Sequence, residues 1–384
     1  MTLINYLTRV HFADGVLEDA LWAEMSRARH GRPLIVVDRR SGDGPNFERL
    51  MAGLPMRASP LIFGDCPPSP TEADALRFAR LYVESARDCV IAFGGRAAID
   101  FAKVARLLIP EIRPLEEIAR RGAALAGPRP GAIDAAAGAP DLFVVPGTGG
   151  FSAAVTAFAS AETLSGGRAV LTTRRLIPTV AICDPTLGLG AGAGDSAAAG
   201  AEAFLSCVEP CLSDSYNPPA DGIAFDGLRR TLHHLPLLLR DDAPDHRREM
   251  AAAGLNGSLP QEKGPGVAFV LVNAHCALSR AAPDAGAVGR LVLPGVLRIG
   301  GGRPRDQRRR AVRDLLRLDG KDCLAEGVEA FLKPLPLPRA LSELGVTDAD
   351  CLRAAEEASR DLAVMRHPRR IEAEELHAVL TAVQ

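Results

Sequence analysis

The chain has 384 residues, 47% hydrophobic and 24% charged, and its 45 basic and 47 acidic residues leave a formal net charge of -2. That size and balance suit a globular protein of two domains and exclude the basic field that nucleic acid or an anionic membrane surface selects. Aromatic residues, at 4%, are too few for base-stacking platforms, and the longest apolar run, "GVAFVLVNAHCAL", is too short to cross a bilayer.

The opening "MTLINYLTRVHFADG" lacks a secretory pattern, so a cytoplasmic location is expected. The first half then alternates two kinds of signal. "PLIVVDR" is a short apolar run ending at Asp38, and "EADALRFARLYVESA" has helical spacing. "CVIAFGG" reads as a buried strand, "AIDFAKVARLL" as a helix, and "DLFVVPG" and "TVAICDP" as two further strands. Strands separated by helices, with glycines at strand ends, predict a parallel sheet that binds ligands at its carboxyl ends. Residues 121–140, rich in Gly, Pro and Ala, read as an irregular surface connection.

After Pro185 the periodicity becomes helical, with breaks at "NPP", "LPLLLRDDAPD", "LPQEKGPG" and "KPLPLP". The expected fold is therefore an α/β domain over residues 1–184 and an all-helical domain over 185–384. The "RPRDQRRR" run reads as an exposed helix start. The eight cysteines form no CxxC pair, so reduced thiols are expected, with Cys207 and Cys211 as helix-packing residues.

Two glycine clusters carry the chemistry. In "IAFGGRAAIDFAK" a strand ends in Gly94 and Gly95 and a helix follows, the arrangement that lets backbone N–H groups approach a phosphate. Arg96 stands where a third glycine is expected; its guanidinium either points away or folds over a phosphate. "VVPGTGGFSAAVT" places a second Gly/Thr/Ser cluster between a strand and an expected helix.

Read together, "GGRAAIDFAK" and "PGTGGFSAAVT" resemble the patterns GGGSxxDxAK and PTTAGTGSExT of the iron-containing alcohol dehydrogenases. "IPTVAICDPTLGLG", "GAEAFLSCVEPCLSDSYNPPADGIAFDGLRRTLHHLP" and "HPRRIEAEELHAVLTAV" extend the resemblance over nearly the whole chain. The resemblance implies an NAD(P)-dependent oxidoreductase with its site in a cleft between an α/β dinucleotide-binding domain and a helical domain. It matches Gly94, Gly95, Asp100 and Lys103 to the first cofactor loop, with Arg96 in place of the third glycine. Thr148, Gly149 and Ser152 fall in the second loop, and Arg168 where many members carry a cofactor-contacting lysine. Asp38 matches the acid that meets the adenosine ribose and favours NAD; Arg39 and Arg40 keep NADP open.

The family holds a divalent metal with an aspartate, a histidine four residues later and two further histidines. Here those positions match Glu202, Ser206, His275 and Ala285, with Asp284 as a one-residue alternative. One histidine and one substituted carboxylate fall short of the usual three protein ligands, so no metal is expected. His275, Ser206 and Glu202 are then the candidate catalytic residues, supplying hydrogen-bond donors for a developing oxyanion. The family's additional histidine is Ser279. His233 and His234 match no ligand position and read as helix-end surface residues, while Lys263 is a candidate substrate contact.

Two functions follow. One is a metal-independent dehydrogenase acting on a small-molecule or peptide substrate, in its narrower form a tailoring enzyme of ribosomal-peptide biosynthesis. The other is a non-catalytic scaffold that retains the dehydrogenase fold. "LINYLTRVHFADGVLEDALW" resembles the family's N-terminal strand region, which implies a homodimer paired through that strand.

Overall fold

The computed structural model describes residues 6–38, 41–64, 66–111, 113–119, 138–279, 281–300, 307–319, 323–365, 367 and 369–384. Two compact units make up the chain, dividing between Leu189 and Gly190. The turn Pro185–Gly188 stays with the first unit, because Leu187 packs into its core and accepts a hydrogen bond from Asn46. The division thus falls a few residues beyond residue 184.

The α/β unit runs β1 (Arg9–Phe12), α1 (Leu17–Ala28), β2 (Pro33–Val37), α2 (Pro45–Ala52), β3 (Leu61–Phe63), α3 (Glu72–Glu84), β4 (Cys89–Gly94), α4 (Arg96–Leu108), β5 (Asp141–Pro146), β6 (Phe158–Glu162), β7 (Arg168–Thr172) and β8 (Val180–Cys183). Six strands form one sheet in the order β1-β8-β5-β4-β2-β3, with every neighbouring pair parallel. The central strands are apolar throughout because helices cover both faces: all five residues of β2 and all six of β4 are buried. Register places the site. Val37 pairs with Phe93 and Gly94 with Pro146, so Asp38 and the two glycine clusters emerge side by side at the carboxyl edge.

Two features depart from the sequence reading. β6 and β7 form a separate antiparallel hairpin, and the second glycine cluster leads into a single 3-10 turn, Phe151–Ala153, rather than a helix. Three glycines within four residues, followed by β-branched Val155 and Thr156, disfavour helix propagation there. Residues 121–137, most of the expected surface connection, lie outside the described residues, as do 303–306 of the basic run.

The second unit contains α5 (Ala193–Leu212), α6 (Pro218–Leu238), α7 (Pro244–Ser258), α8 (Val267–Leu278), α9 (Ala285–Ile299), α10 (Gln307–Leu315), α11 (Leu324–Leu332), α12 (Asp348–Ser359), α13 (Leu362–Met365) and α14 (Ala373–Thr381). No strand occurs among its described residues. α6 continues through Pro236, past the break expected there. Small residues allow close helix packing: a Cβ at Gly286 of α9 would lie 1.9 Å from the Ala198 carbonyl oxygen of α5. Among the described residues no helix is long and apolar enough to span a membrane.

Candidate active site

At the carboxyl edge of the sheet the first loop is held by Asp38. Its Oδ2 accepts the Gly95 N–H at 2.8 Å and its Oδ1 the Ser41 N–H at 2.8 Å. Gly94 has φ +131, and a Cβ there would sit 2.3 Å from Asp38 Oδ2, so conformation and space both require glycine. The second loop docks on the first through the Gly147 N–H, which donates to the Gly94 carbonyl at 2.8 Å. Gly150 permits this approach, since its Cβ would meet Gly94 O and Ile99 Cδ1 at 2.8 Å each.

α4 begins at Arg96 with Gly95 as N-cap and no side-chain cap. A Cβ at Gly149 would meet nothing within 4 Å. An uncapped helix start beside open space fits the pyrophosphate of a dinucleotide. Arg96 turns back along its own helix, its Nε donating to Asp100 Oδ2 at 3.2 Å. Thr148 and Gly149 are half-buried at the loop tip, Ser152 is buried in the 3-10 turn, and Arg168 opens β7 opposite Glu162.

Lys103, matched by the resemblance to a cofactor contact, is fully buried. Its Nζ donates to Ala153 O and Thr156 Oγ1, both at 2.7 Å, and lies 3.4 Å from Asp100 Oδ1. Burial pushes its pKa down to about 8. Lys103, steadied by Asp100 on the same helix, therefore ties α4 to the second loop.

In the helical unit Glu202 and Ser206 are buried one turn apart on α5, and His275 is buried on the last turn of α8. Both ring nitrogens of His275 and the Ser206 hydroxyl are buried without a hydrogen-bond partner among the described residues. Such atoms are rare in folded proteins, where a water, an ion or a ligand usually meets them. Burial pushes His275 down to about 4, with Asp350 pulling the other way, so the ring is neutral near pH 7. Asp350 was not singled out in the sequence; it lies at the start of α12, caps that helix with Thr347 and stands 3.5 Å from Ser279 Oγ. Its only signal was the Thr347/Asp350 capping spacing.

The positions matched to metal ligands carry few of the usual donor side chains. Asp284 is the N-cap of α9, its Oδ1 accepting the Gly286 and Ala287 N–H groups, and Ala285 offers no donor. Glu202 and His275 remain, fewer than the three protein ligands a catalytic ion commonly needs. Lys263 is buried and donates to Pro210 O and Asp221, a link between α5 and α6 rather than a substrate contact. Cys207 and Cys211 are buried in the helical core, burial pushing Cys211 up to about 12. His234 of α6 meets His246 of α7, Nδ1 to Nδ1, at 3.2 Å.

A parallel sheet with paired glycine loops, joined in sequence to an all-helical unit, defines the class: the chain belongs to the iron-containing alcohol dehydrogenase family. The family model described as "Iron-containing alcohol dehydrogenase" matches residues 8–185. Over 359 residues the chain is 33% identical to a 4-hydroxybutyrate dehydrogenase of Cupriavidus necator, covering 91% of each. An alcohol dehydrogenase from Oenococcus oeni superposes with a TM-score of 0.83 at 20% identity over all of both chains. A sulfoacetaldehyde reductase from Bifidobacterium kashiwanohense, solved with NAD+, gives 0.80 at 17% over 100% of this chain and 99% of that one. The protein is an alcohol dehydrogenase-like oxidoreductase, and the scaffold reading is set aside.

Proposed function

We propose that the protein moves hydride between a nicotinamide dinucleotide, NAD in preference to NADP, and a short alcohol/aldehyde pair, with His275 in place of a metal ion polarising the substrate oxygen. The unpartnered ring of His275 carries this reading. A neutral imidazole has one N–H to donate, and a buried donor aimed at a carbonyl oxygen stabilises the negative charge that builds there as hydride arrives. Ser206 offers a second donor, and Glu202, one turn away, a polar wall. The bound dinucleotide supplies or accepts the hydride; the resulting alkoxide takes its proton from water, since His275 titrates too low to act as an imidazolium acid. The 4-hydroxybutyrate dehydrogenase relative favours a short hydroxy acid and its semialdehyde as the pair. No residue of the site supports the narrower peptide-tailoring role.

Replacing His275 with Ala should lower kcat/KM by roughly 10²–10³-fold, the usual effect of losing one oxyanion donor, with NADH affinity unchanged. Chelator treatment should leave turnover intact. Full activity in His275→Ala would remove the histidine from the mechanism, and chelator-sensitive turnover restored by iron or zinc would overturn metal independence.

A further inference from the structure

At the opposite edge of the α/β sheet, where β2, β4 and β5 begin, His30, Asp88 and Cys89 stand together. One potential ligand atom from each lies within 4.8 Å of the others. No part of the dinucleotide or alcohol chemistry uses them. Strand register assembles the corner: Pro33 pairs with Cys89 and Cys89 with Asp141, bringing the residues before β2, at the start of β4 and at the start of β5 into one place.

The second shell is already built. His30 Nε2 is 2.9 Å from Asp141 Oδ2, and Asp141 accepts the Thr179 hydroxyl on Oδ1 at 2.9 Å. With one ring nitrogen engaged by Asp141, Nδ1 is the ring nitrogen left to face Asp88. Nδ1 faces Asp88 Oδ1 at 3.9 Å, beyond hydrogen-bond range. A cation between them would be shared by the ring nitrogen and the carboxylate, whose Oδ1 also accepts the Arg32 N–H at 3.0 Å. Carboxylate–histidine–metal relays have this form, with the outer carboxylate setting which ring nitrogen is left to bind. Asp88 is itself oriented by the Gly31 and Arg32 N–H groups at 2.7 Å and 2.9 Å.

We propose that this corner is a Zn2+ site with His30 Nδ1, Asp88 and Cys89 Sγ as ligands and water in the fourth position. An imidazole, a carboxylate and a thiolate form a donor set that selects zinc over magnesium or calcium. Ideal tetrahedral bonding needs an N···O separation of ~3.4 Å, so the gap closes by about 0.5 Å on binding. His30 and Asp88 are half-buried and give the ion a path in, while Cys89 is fully buried. On binding, the Cys89 thiol loses its proton to solvent and forms the metal–sulfur bond; no redox change occurs. The ion joins the segments leading into two neighbouring strands, and its expected effect is on stability.

Co2+, a spectroscopic stand-in for Zn2+, tests the site on the chelator-stripped full chain. One equivalent per chain should produce a thiolate-to-cobalt charge-transfer band that Zn2+ displaces, and Zn2+ should raise the melting temperature. Cys89→Ser should abolish the band. His30→Gln, at a half-buried position, should weaken cobalt binding by at least tenfold and serves if Cys89→Ser does not fold. No band at one equivalent, or a band that persists in Cys89→Ser or at unchanged affinity in His30→Gln, would overturn the site. Turnover should not depend on zinc loading, so failure here leaves the role of His275 untouched, and failure there leaves this site standing.

Discussion

Charged residues of the first glycine loop divide between holding the fold and facing a ligand. Lys103 is spent on Ala153 and Thr156, and Asp100 on Arg96 and Lys103. Asp38 combines the two tasks, since its carboxylate anchors the Gly95 and Ser41 N–H groups at the edge where the adenosine ribose is expected. Asp38→Asn keeps an acceptor for one N–H but removes the charge that repels a 2'-phosphate. NADH should bind several-fold more weakly to this variant and NADPH more tightly relative to NADH, by about tenfold if one charge contact is worth ~1.4 kcal/mol. Fluorescence titration with both cofactors measures the ratio; an unchanged ratio would mean that Asp38 acts on the loop alone.

At the scale of elements, α8 depends on a neighbour for its start. Glu209 of α5 accepts the Ala268 and Phe269 N–H groups at 2.8 Å each, and Gly266 makes room, since a Cβ there would lie 2.2 Å from the Glu209 carboxyl carbon. Burial pushes the Glu209 carboxyl up from 4.5 to about 7 against the pull of the two N–H donors. The folded chain holds this proton more tightly than the unfolded one. Its contribution to stability is therefore full below about pH 4.5 and is lost as pH rises through about 7. The loss is at most on the order of 3 kcal/mol. Melting temperatures from pH 5 to 8 should decline in the natural protein, and Glu209→Gln, which keeps an acceptor without the titration, should flatten that decline. Equal slopes in the two proteins would rule the linkage out.

For the whole molecule, β1 is an edge strand that pairs only with β8 among the described residues. Val10 on it is 38% exposed and Trp22 on the adjoining α1 is 57% exposed, while Arg9 on β1 and Glu24 on α1 form an ion pair at 3.0 Å that holds the two elements together. An apolar edge of this kind is better covered than left in water. Light scattering at micromolar concentration should give twice the chain mass, and Val10→Lys, which puts a charge on the edge, should give the monomer. A natural protein that scatters as a monomer would rule out the homodimer.

The parallel sheet was legible in the sequence because buried parallel strands are apolar without alternation, as in "PLIVV" and "CVIAFG", and the helical half because its apolar residues repeat at 3.6. The glycine loops were legible for a similar local reason: only Gly94 tolerates both its φ and the carboxylate beside it. β3 and the β6–β7 hairpin were not, since a three-residue strand carries too little pattern and a hairpin forms only when its partner is near. Side-chain direction lay outside the sequence altogether. The spacing of Asp100 and Lys103 is the same whether they face a phosphate or the protein interior, and Asp284 reads equally as a ligand or a helix cap until α9 is placed. His30, Asp88 and Cys89 meet only because register aligns β2 with β4. Local sequence determined which elements form and where the chain must turn; long-range packing decided which polar atoms were used up within the fold and which, as on His275, found no partner among the described residues.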